Sequence, residues 1–352
     1  MAAPRVAVLA GDGIGPEVIE PAVAVADAAL RKHDRAAVEW NRLPWSGAYY
    51  LRHGHIVPPG GWEELREHDA ILFGAIGRPD VPETVSVHQL LLPMRRKFDQ
   101  YVNLRPAYLF EGITPPLRDK KPGSIDFVVY RENTEGEYAP VGGRLYEGFD
   151  NEVAIQTAVF TRKGTERILR AAFAAARQRR KDLTVITKSN ALAYGMVFWD
   201  TVAKEVAKDY PDVTWRFLLV DAAAMDFVRK PEVFDVVVAS NLFGDILTDL
   251  AAIVTGSLGL AASANLNPER AFPSMFEPVH CSAPDIAGKG IANPLAAILS
   301  VELLLNHLGY AASAAAVRNA VAAVLKEGKA LTPDLGGTAT TQQVAEAVTA
   351  AV

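Results

Sequence analysis

Asp245 and Asp249 stand four residues apart in Asn241-Leu-Phe-Gly-Asp245-Ile-Leu-Thr-Asp249, directly after the apolar run Phe234–Ala239. On a helix that spacing puts both carboxylates on one face, one turn from each other. Like charges so placed disfavour the helix unless a cation neutralises them, and hard ions such as Mg²⁺ or Mn²⁺ take carboxylate oxygens. Asp221, after the apolar run Phe217–Val220, supplies a third carboxylate. Spacing alone fits a solvated acidic face slightly better than a metal site. Lys188 closes the apolar run Leu183–Thr187. The carboxyl end of a parallel strand is where α/β sheets bind ligands, and an ammonium beside a cation loses stability, which suits a general base. An ordinary surface lysine fits the same position. Arg95, Arg105 and Arg131 carry planar forks matched to carboxylates, and three converging would select a substrate with more than one. Each taken singly is more often a surface ion pair.

The elements that must hold these side chains follow from hydrophobic patterning. Val6–Ala10, Ala70–Gly74, Phe127–Tyr130, Thr184–Thr187 and Phe234–Ala239 read as buried strands. Helical patterns lie between or after several of them, over Lys163–Arg179, Met196–Lys208 and Ala311–Glu327. Another helix opens at Pro16, with Ile19, Ala22, Val23, Ala26 and Leu30 on one face. Strands alternating with helices predict an α/β fold with a largely parallel sheet. Tyr138 to Thr157 departs from the pattern: Gly142-Gly143 between short extended stretches reads as a hairpin or projecting arm.

Gly11-Asp12-Gly13-Ile14-Gly15 invites a dinucleotide-binding reading, but the spacing fails. A Rossmann fingerprint needs a third glycine where Pro16 stands, and no acidic residue closes the next strand. A tight strand-to-helix turn is the better reading.

The 352 residues suggest two domains, with half the residues apolar and 22% charged. Thirty-six basic residues against 41 acidic ones give a net charge of −5, which disfavours a nucleic-acid partner. A single cysteine, Cys281, excludes an intramolecular disulfide and fits a reducing compartment. The uncharged stretch after Leu250 is broken by Gly256, Gly259, Asn265 and Asn267, a poor membrane span. Val6–Ala10 is too short for a secretory signal. A cytoplasmic protein with no membrane partner is expected.

Taken together, the segments resemble the β-decarboxylating dehydrogenases, the family of isocitrate, isopropylmalate and tartrate/D-malate dehydrogenases. The motifs are Gly11–Glu17, Asn103–Pro106, Arg131-Glu-Asn-Thr-Glu-Gly-Glu-Tyr138, Thr187–Asn190, Asn241–Asp249, Glu277–Asp285 and Pro333–Gly337, in the family's order over nearly the whole chain. The resemblance implies an isopropylmalate-dehydrogenase-like two-domain α/β fold with a mainly parallel sheet and a projecting dimer arm. Residues 1–103 and 256–352 would form the cofactor-binding domain, with 104–255 inserted as the substrate and dimerisation domain and its arm near 138–157. It further implies Arg95, Arg105 and Arg131 on the substrate carboxylates. Asp221, Asp245 and Asp249 would hold Mn²⁺ or Mg²⁺, with Lys188 and Asp221 coming from the partner of a homodimer with shared active sites. The family pattern also admits a monovalent cation. Lys188 would take the 2-hydroxyl proton as hydride leaves for NAD⁺, and Tyr138 would protonate the enolate left by carbon dioxide loss. His280, Ser282, Ala283, Asp285, Asn293 and Asp334 match the cofactor positions, and Asp285 predicts NAD, since a carboxylate accepts from the ribose 2′-hydroxyl and repels a 2′-phosphate.

Substrate choice rests on fewer residues. Gln89 and Leu91 replace the serine and asparagine of isocitrate enzymes. Leu91 and Leu92 fit isopropylmalate enzymes, but His88 stands where they have glutamate, and the tartrate/D-malate group usually has tryptophan there. That group matches best elsewhere, including Asn265-Leu-Asn-Pro-Glu-Arg270. The expected substrate is therefore tartrate or D-malate, a small dicarboxylate 2-hydroxy acid, with oxidative decarboxylation of D-malate. The alternatives are 3-isopropylmalate dehydrogenase and a non-catalytic regulatory homologue, against which the retained Lys188, Tyr138, Asp245 and Asp249 speak. Cys281 replaces a family glycine beside the cofactor.

Overall fold

The computed structural model describes residues 3–352. The chain divides into two compact units: 1–100, 105–125 and 251–352 form the first, and 101–104 with 126–250 the second. The resemblance places the inserted domain at 104–255; by compactness 105–125 fall with the first unit and 101–104 with the second, so that strand β4 (Val102–Tyr108) carries residues of both.

In the first unit, β1 (Arg5–Gly11) lies between β2 (Glu39–Arg42) and β3 (Ala70–Ala75), parallel to both. After the chain returns, β12 (Ser274–Pro278) adds parallel to β3, and β11 (Ala262–Leu266) pairs antiparallel with β12. The reading of β1 and β3 as buried strands holds because a parallel strand covered on both faces is a continuous apolar run. Val6 to Leu9 and Ala70 to Phe73 are all buried. Helix Gly15–Ala29, opened by Pro16, and the helix Leu295–His307 pack in this unit, the latter buried continuously from Leu295 to Val301. Burying each such aliphatic side chain contributes about 1.5–3 kcal/mol.

In the second unit, β5 (Asp126–Glu132), β8 (Asp182–Thr187), β9 (Thr214–Leu219) and β10 (Val236–Ala239) run parallel in the order β5-β10-β8-β9. Phe127, Phe227 and Phe234 meet as a core triad with ring centroids 4.7 to 5.9 Å apart. The helix Arg162–Gln178 begins at Thr161, whose hydroxyl accepts from the Gly164 amide at 2.9 Å.

The expected arm is an antiparallel hairpin of β6 (Gly142–Leu145) and β7 (Val153–Gln156), exposed throughout. One detail differs. Gly142-Gly143 lies in the first strand, and the reversal is made by residues 146–152. The backbone explains it: a Cβ on Gly142 would fall 2.1 Å from the Ile155 carbonyl oxygen, so glycine is needed for close strand approach. Among the described residues no helix is long and apolar enough to cross a membrane.

Candidate functional site

In the second unit, the site grows from the carboxyl ends of parallel strands. Arg131, second to last in β5, is in register with Ala239 at the end of β10. Two residues later the chain enters the helix Asn241–Val254, which carries Asp245 and Asp249. The Arg131 side chain, only 1% exposed, lies against this helix. Its Nε and Nη2 donate to Asn241 Oδ1 at 3.0 and 2.7 Å, and its Nη1 pairs with Asp245. Gly244 makes the approach possible, since a Cβ there would fall 2.7 Å from Arg131 Cβ and Cγ. Tyr138 Oη donates to the other Asp245 oxygen at 2.7 Å, with the Arg131 guanidinium 5.4 Å from the centre of the Tyr138 ring. Asp245 therefore joins two other residues singled out in the sequence, Arg131 and Tyr138.

The turn that presents Tyr138 is fixed by carboxylates the sequence did not single out. Glu137 accepts from Ser240 Oγ at 2.8 Å and the Leu242 amide at 3.0 Å, tying residue 137 to the start of the Asp245 helix. Glu135 accepts from the Thr161 amide and hydroxyl at 2.8 and 2.7 Å. Glu132 accepts from the Thr134 amide, the Thr134 hydroxyl and the Glu135 amide. Burial raises the Glu132 carboxyl to about 7, against the pull of these donors. No local signal marks Glu137, because its partners lie about a hundred residues away.

Lys188 and Asp221 follow β8 and β9, whose ends are in register at Thr187 and Leu219. Lys188 Nζ donates to Asp221 Oδ1 at 2.6 Å. That ammonium holds the Asp221 carboxyl below its ordinary value. Asp221 stands in the first turn of the helix Val220–Arg229, where the dipole favours a carboxylate. Among the described residues no three His, Cys, Asp or Glu side chains of one chain gather as a metal centre. Asp245 and Asp249 are thus two hard oxygen donors on one helix, and Asp221 is a third at a separate strand end.

In the first unit, Arg95 is buried, and its Nη2 donates to Glu277 Oε1 at 3.0 Å. The same oxygen accepts from Asn265 Nδ2 at 2.7 Å. Arg95 Nε is buried without a hydrogen-bond partner. Arg105 is also buried, on β4. Leu91 and His88 sit in a single π turn, 87–91, where the helix meets Pro93. Proline lacks an amide donor and crowds the preceding turn, which accounts for the irregularity. His88 is exposed, while Leu91 packs against the core.

The glycine loop after β1 is a packing turn, as its spacing suggests. Gly13 has no room for a Cβ, which would fall 2.0 Å from the Ser282 carbonyl oxygen, and the Ile14 amide donates to that oxygen at 2.9 Å. Asp12 accepts from the Gly47 and Gly77 amides at 2.8 and 3.2 Å. Ser282 is thereby fixed against the loop, and Ala283 takes a left-handed conformation with φ 39°. Asp334 accepts from Ser257 Oγ at 2.6 Å and Asn293 Nδ2 at 2.9 Å. A Cβ on Gly259 would fall 2.7 Å from both Asn293 and Asp334. His280 Nδ1 lies 3.1 Å from the Cys281 carbonyl oxygen, which assigns the ring proton to Nδ1, and burial pushes its pKa down. Its Nε2 is buried with no partner, an acceptor that suits a ligand donor group. Asp285 and Cys281 are exposed. These features fit a dinucleotide cofactor: an orphaned acceptor, an Asn–Asp pair and a glycine cradle.

Comparison with known proteins gives a consistent picture. The model of the isocitrate/isopropylmalate dehydrogenase family matches residues 5–348. The chain is 50% identical over 352 residues to D-malate dehydrogenase (decarboxylating) of Escherichia coli K12, covering 98% of this chain and 97% of that protein. It is 50% identical over 353 residues to tartrate dehydrogenase/decarboxylase of Pseudomonas putida, covering 98% and 96%. Among solved structures, the isocitrate dehydrogenase of Methylococcus capsulatus superposes with a TM-score of 0.89 at 36% identity, covering 99% of both chains.

Proposed function

Because the chain belongs to the isocitrate/isopropylmalate dehydrogenase family and is an oxidoreductase, we propose that it oxidises tartrate or D-malate with NAD and a divalent cation, decarboxylating D-malate as it does so. The observation carrying most weight is the Asp245 carboxylate held between the Arg131 guanidinium and the Tyr138 hydroxyl. It combines an anion receptor, an oxygen donor for a hard cation and a proton donor at one point.

Asp245 and Asp249, with Asp221 of the partner subunit, would hold Mn²⁺ or Mg²⁺. When bound, the cation draws charge from the 2-oxygen of the substrate and offsets the charge left by carbon dioxide loss. Arg95, Arg105 and Arg131 would receive the substrate carboxylates. Lys188 of the partner subunit would accept the 2-hydroxyl proton at Nζ while hydride leaves C2 for NAD⁺. After the carboxylate departs, the Tyr138 hydroxyl would return a proton to the carbon that carried it. His280, Ser282, Ala283, Asn293 and Asp334 would hold the dinucleotide, and Asp285 its adenosine ribose.

Shared sites require a second copy. Leu145, Tyr146, Phe149 and Ile155 on the arm are more than half exposed, as are Met225 and Ile246 on the helices carrying Asp221 and Asp245. Apolar surface of this extent supports a homodimer. Leu92 is buried and Leu91 packs against the core, which supports a compact substrate over one with an isopropyl group.

A substrate panel followed by NADH absorbance tests the proposal. Turnover of D-malate or tartrate, lost on chelation and restored by Mn²⁺ or Mg²⁺, is expected. Failure on both with turnover of 3-isopropylmalate would reject the substrate assignment. No NADH from D-malate, tartrate, 3-isopropylmalate or isocitrate would point to a non-catalytic homologue.

A further inference from the structure

The segment Asn265–Arg270 supports the Arg95 partner Glu277 through Asn265 at its start, but its other end, at Arg270, lines an open groove of about 530 Å³. This groove lies in the first unit at the amino ends of β1, β3 and β12, lined by Arg5, Asp69 and Pro273 where those strands begin. The glycine loop and Ser282 gather at the opposite ends, roughly 20 Å of strand away at about 3.3 Å per residue. The groove is therefore separate from the proposed cofactor residues.

Its chemistry is cationic and pre-set. The Arg66 guanidinium lies 4.8 Å over the Phe272 ring centre and has no ion-pair partner among the described residues. Stacking in this way leaves the in-plane N–H edge of the fork available. Arg270 has no carboxylate partner among the described residues; its Nη2 donates to the His307 carbonyl oxygen at 2.7 Å. Arg270 adopts a left-handed backbone, φ 55°, rare for a long L side chain. The turn is fixed by Asn267, whose carbonyl accepts from the Arg270 amide and whose Oδ1 accepts from the Ala271 and Phe272 amides. Arg5 reaches only Glu39, at 3.9 Å. The one carboxylate lining the groove, Asp69, accepts the Arg5 backbone amide at 2.7 Å. His307 is driven down to about 4, by burial first and Arg270 second, so its ring adds no charge at neutral pH. One guanidinium stacked on Phe272 and a second held at the His307 carbonyl, neither paired with a carboxylate among the described residues, make a receptor for a doubly charged anion.

We propose that this groove binds a small dianion, a phosphate or a dicarboxylate, between Arg66 and Arg270. Because the readout is binding and not turnover, the inference stands or falls separately from the substrate assignment.

The test is calorimetric titration of the full-length protein with inorganic phosphate and, in a second arm, with succinate. Wild type is compared with the Arg66→Gln/Arg270→Gln double variant, both positions being exposed. The expected result is binding with Kd of about 1 mM or tighter, weakened about tenfold or more in the double variant. The arm that loses affinity identifies the anion. Selenate soaked into crystals should give an anomalous peak between the two guanidiniums. Equal affinity in wild type and double variant, no binding at about 10 mM in either arm, or anomalous density elsewhere only, would overturn the proposal.

Discussion

The Tyr138 hydroxyl donates to Asp245 Oδ2 at 2.7 Å, so the group expected to deliver a proton and a carboxylate expected at a cation share one hydrogen bond. A cation bound at Asp245 would compete with the Tyr138 proton for the same oxygen. Tyr138→Phe removes the proton together with the hydrogen bond to Asp245 and keeps the ring beside Arg131. We expect kcat on D-malate to fall by about 10²–10⁴ with KM changed only a few-fold. Stopped-flow and steady-state assays check this; an unchanged kcat would remove Tyr138 from the chemistry.

Lys188 meets Asp221 at 2.6 Å across the ends of two neighbouring parallel strands. A lysine in a general-base role can be replaced by a free amine if the pocket left behind admits one. Lys188→Ala is expected to lose about 10²–10⁴ in kcat and to recover part of it on adding a primary amine, more at higher amine basicity. Loss without rescue, together with weakened cation binding, would assign the residue to structure.

Glu137 holds the turn bearing Tyr138 to the start of the Asp245 helix through Ser240 and Leu242. Removing the carboxylate leaves two donors unsatisfied at a helix start, a cost of about 1–2 kcal/mol. Glu137→Ala should lower the melting temperature modestly and reduce kcat more than it raises KM, with Glu137→Gln restoring a good part of both. Equal activity in all three proteins would show that Tyr138 needs no such anchor.

How much of this was readable in the chain depends on where the partners lie. β1, β3, β8 and β10 were legible because doubly covered parallel strands are unbroken apolar runs. The helix Ala311–Glu327 matched its pattern at both ends. β2, Glu-Trp-Asn-Arg on an outer position, and β11, Ala-Ser-Ala-Asn-Leu, carry no such run and do not show in the sequence as strands. At the site, the Asp245–Asp249 spacing announced itself, being a property of one helix. Gly244, Asn241 and Glu137 stand inside the matched motifs, but their roles do not show in the sequence, because what they accommodate, accept from or tie down is distant along the chain. Gly142-Gly143 misled for the opposite reason: a dipeptide common in turns is used here for strand contact with Ile155.

Glu132 gives the fold a dependence on pH. Its carboxyl rises from an ordinary 4.5 to about 7, chiefly through burial. The folded state therefore binds a proton there more tightly than the unfolded chain does. The stabilisation is fully present below about pH 4.5 and is lost as pH rises through about 7, amounting to about 3 kcal/mol. Denaturant unfolding from about pH 5 to pH 8 should show this fall, and Glu132→Gln should flatten it. A variant with the wild-type slope would place the titration elsewhere.

Asp285 is exposed, in the loop that follows Ser282. Glu17 ties that loop to the first helix through the Gly288 and Gly290 amides. A carboxylate held at such a position accepts from a ribose 2′-hydroxyl and repels a 2′-phosphate, whose charge is near −2 at neutral pH. The repulsion acts in solvent, so it is screened by salt and its share of the discrimination should shrink as ionic strength rises. The enzyme is expected to prefer NAD⁺ over NADP⁺ in kcat/KM, and Asp285→Asn should narrow that preference by about tenfold, equivalent to about 1.4 kcal/mol, chiefly by improving NADP⁺. Measuring both cofactors at low and high salt separates charge repulsion from a steric effect. If Asp285→Asn weakens NAD⁺ and leaves NADP⁺ unchanged, the carboxylate acts as a ribose acceptor alone; a wild-type preference for NADP⁺ would remove Asp285 from the cofactor site altogether.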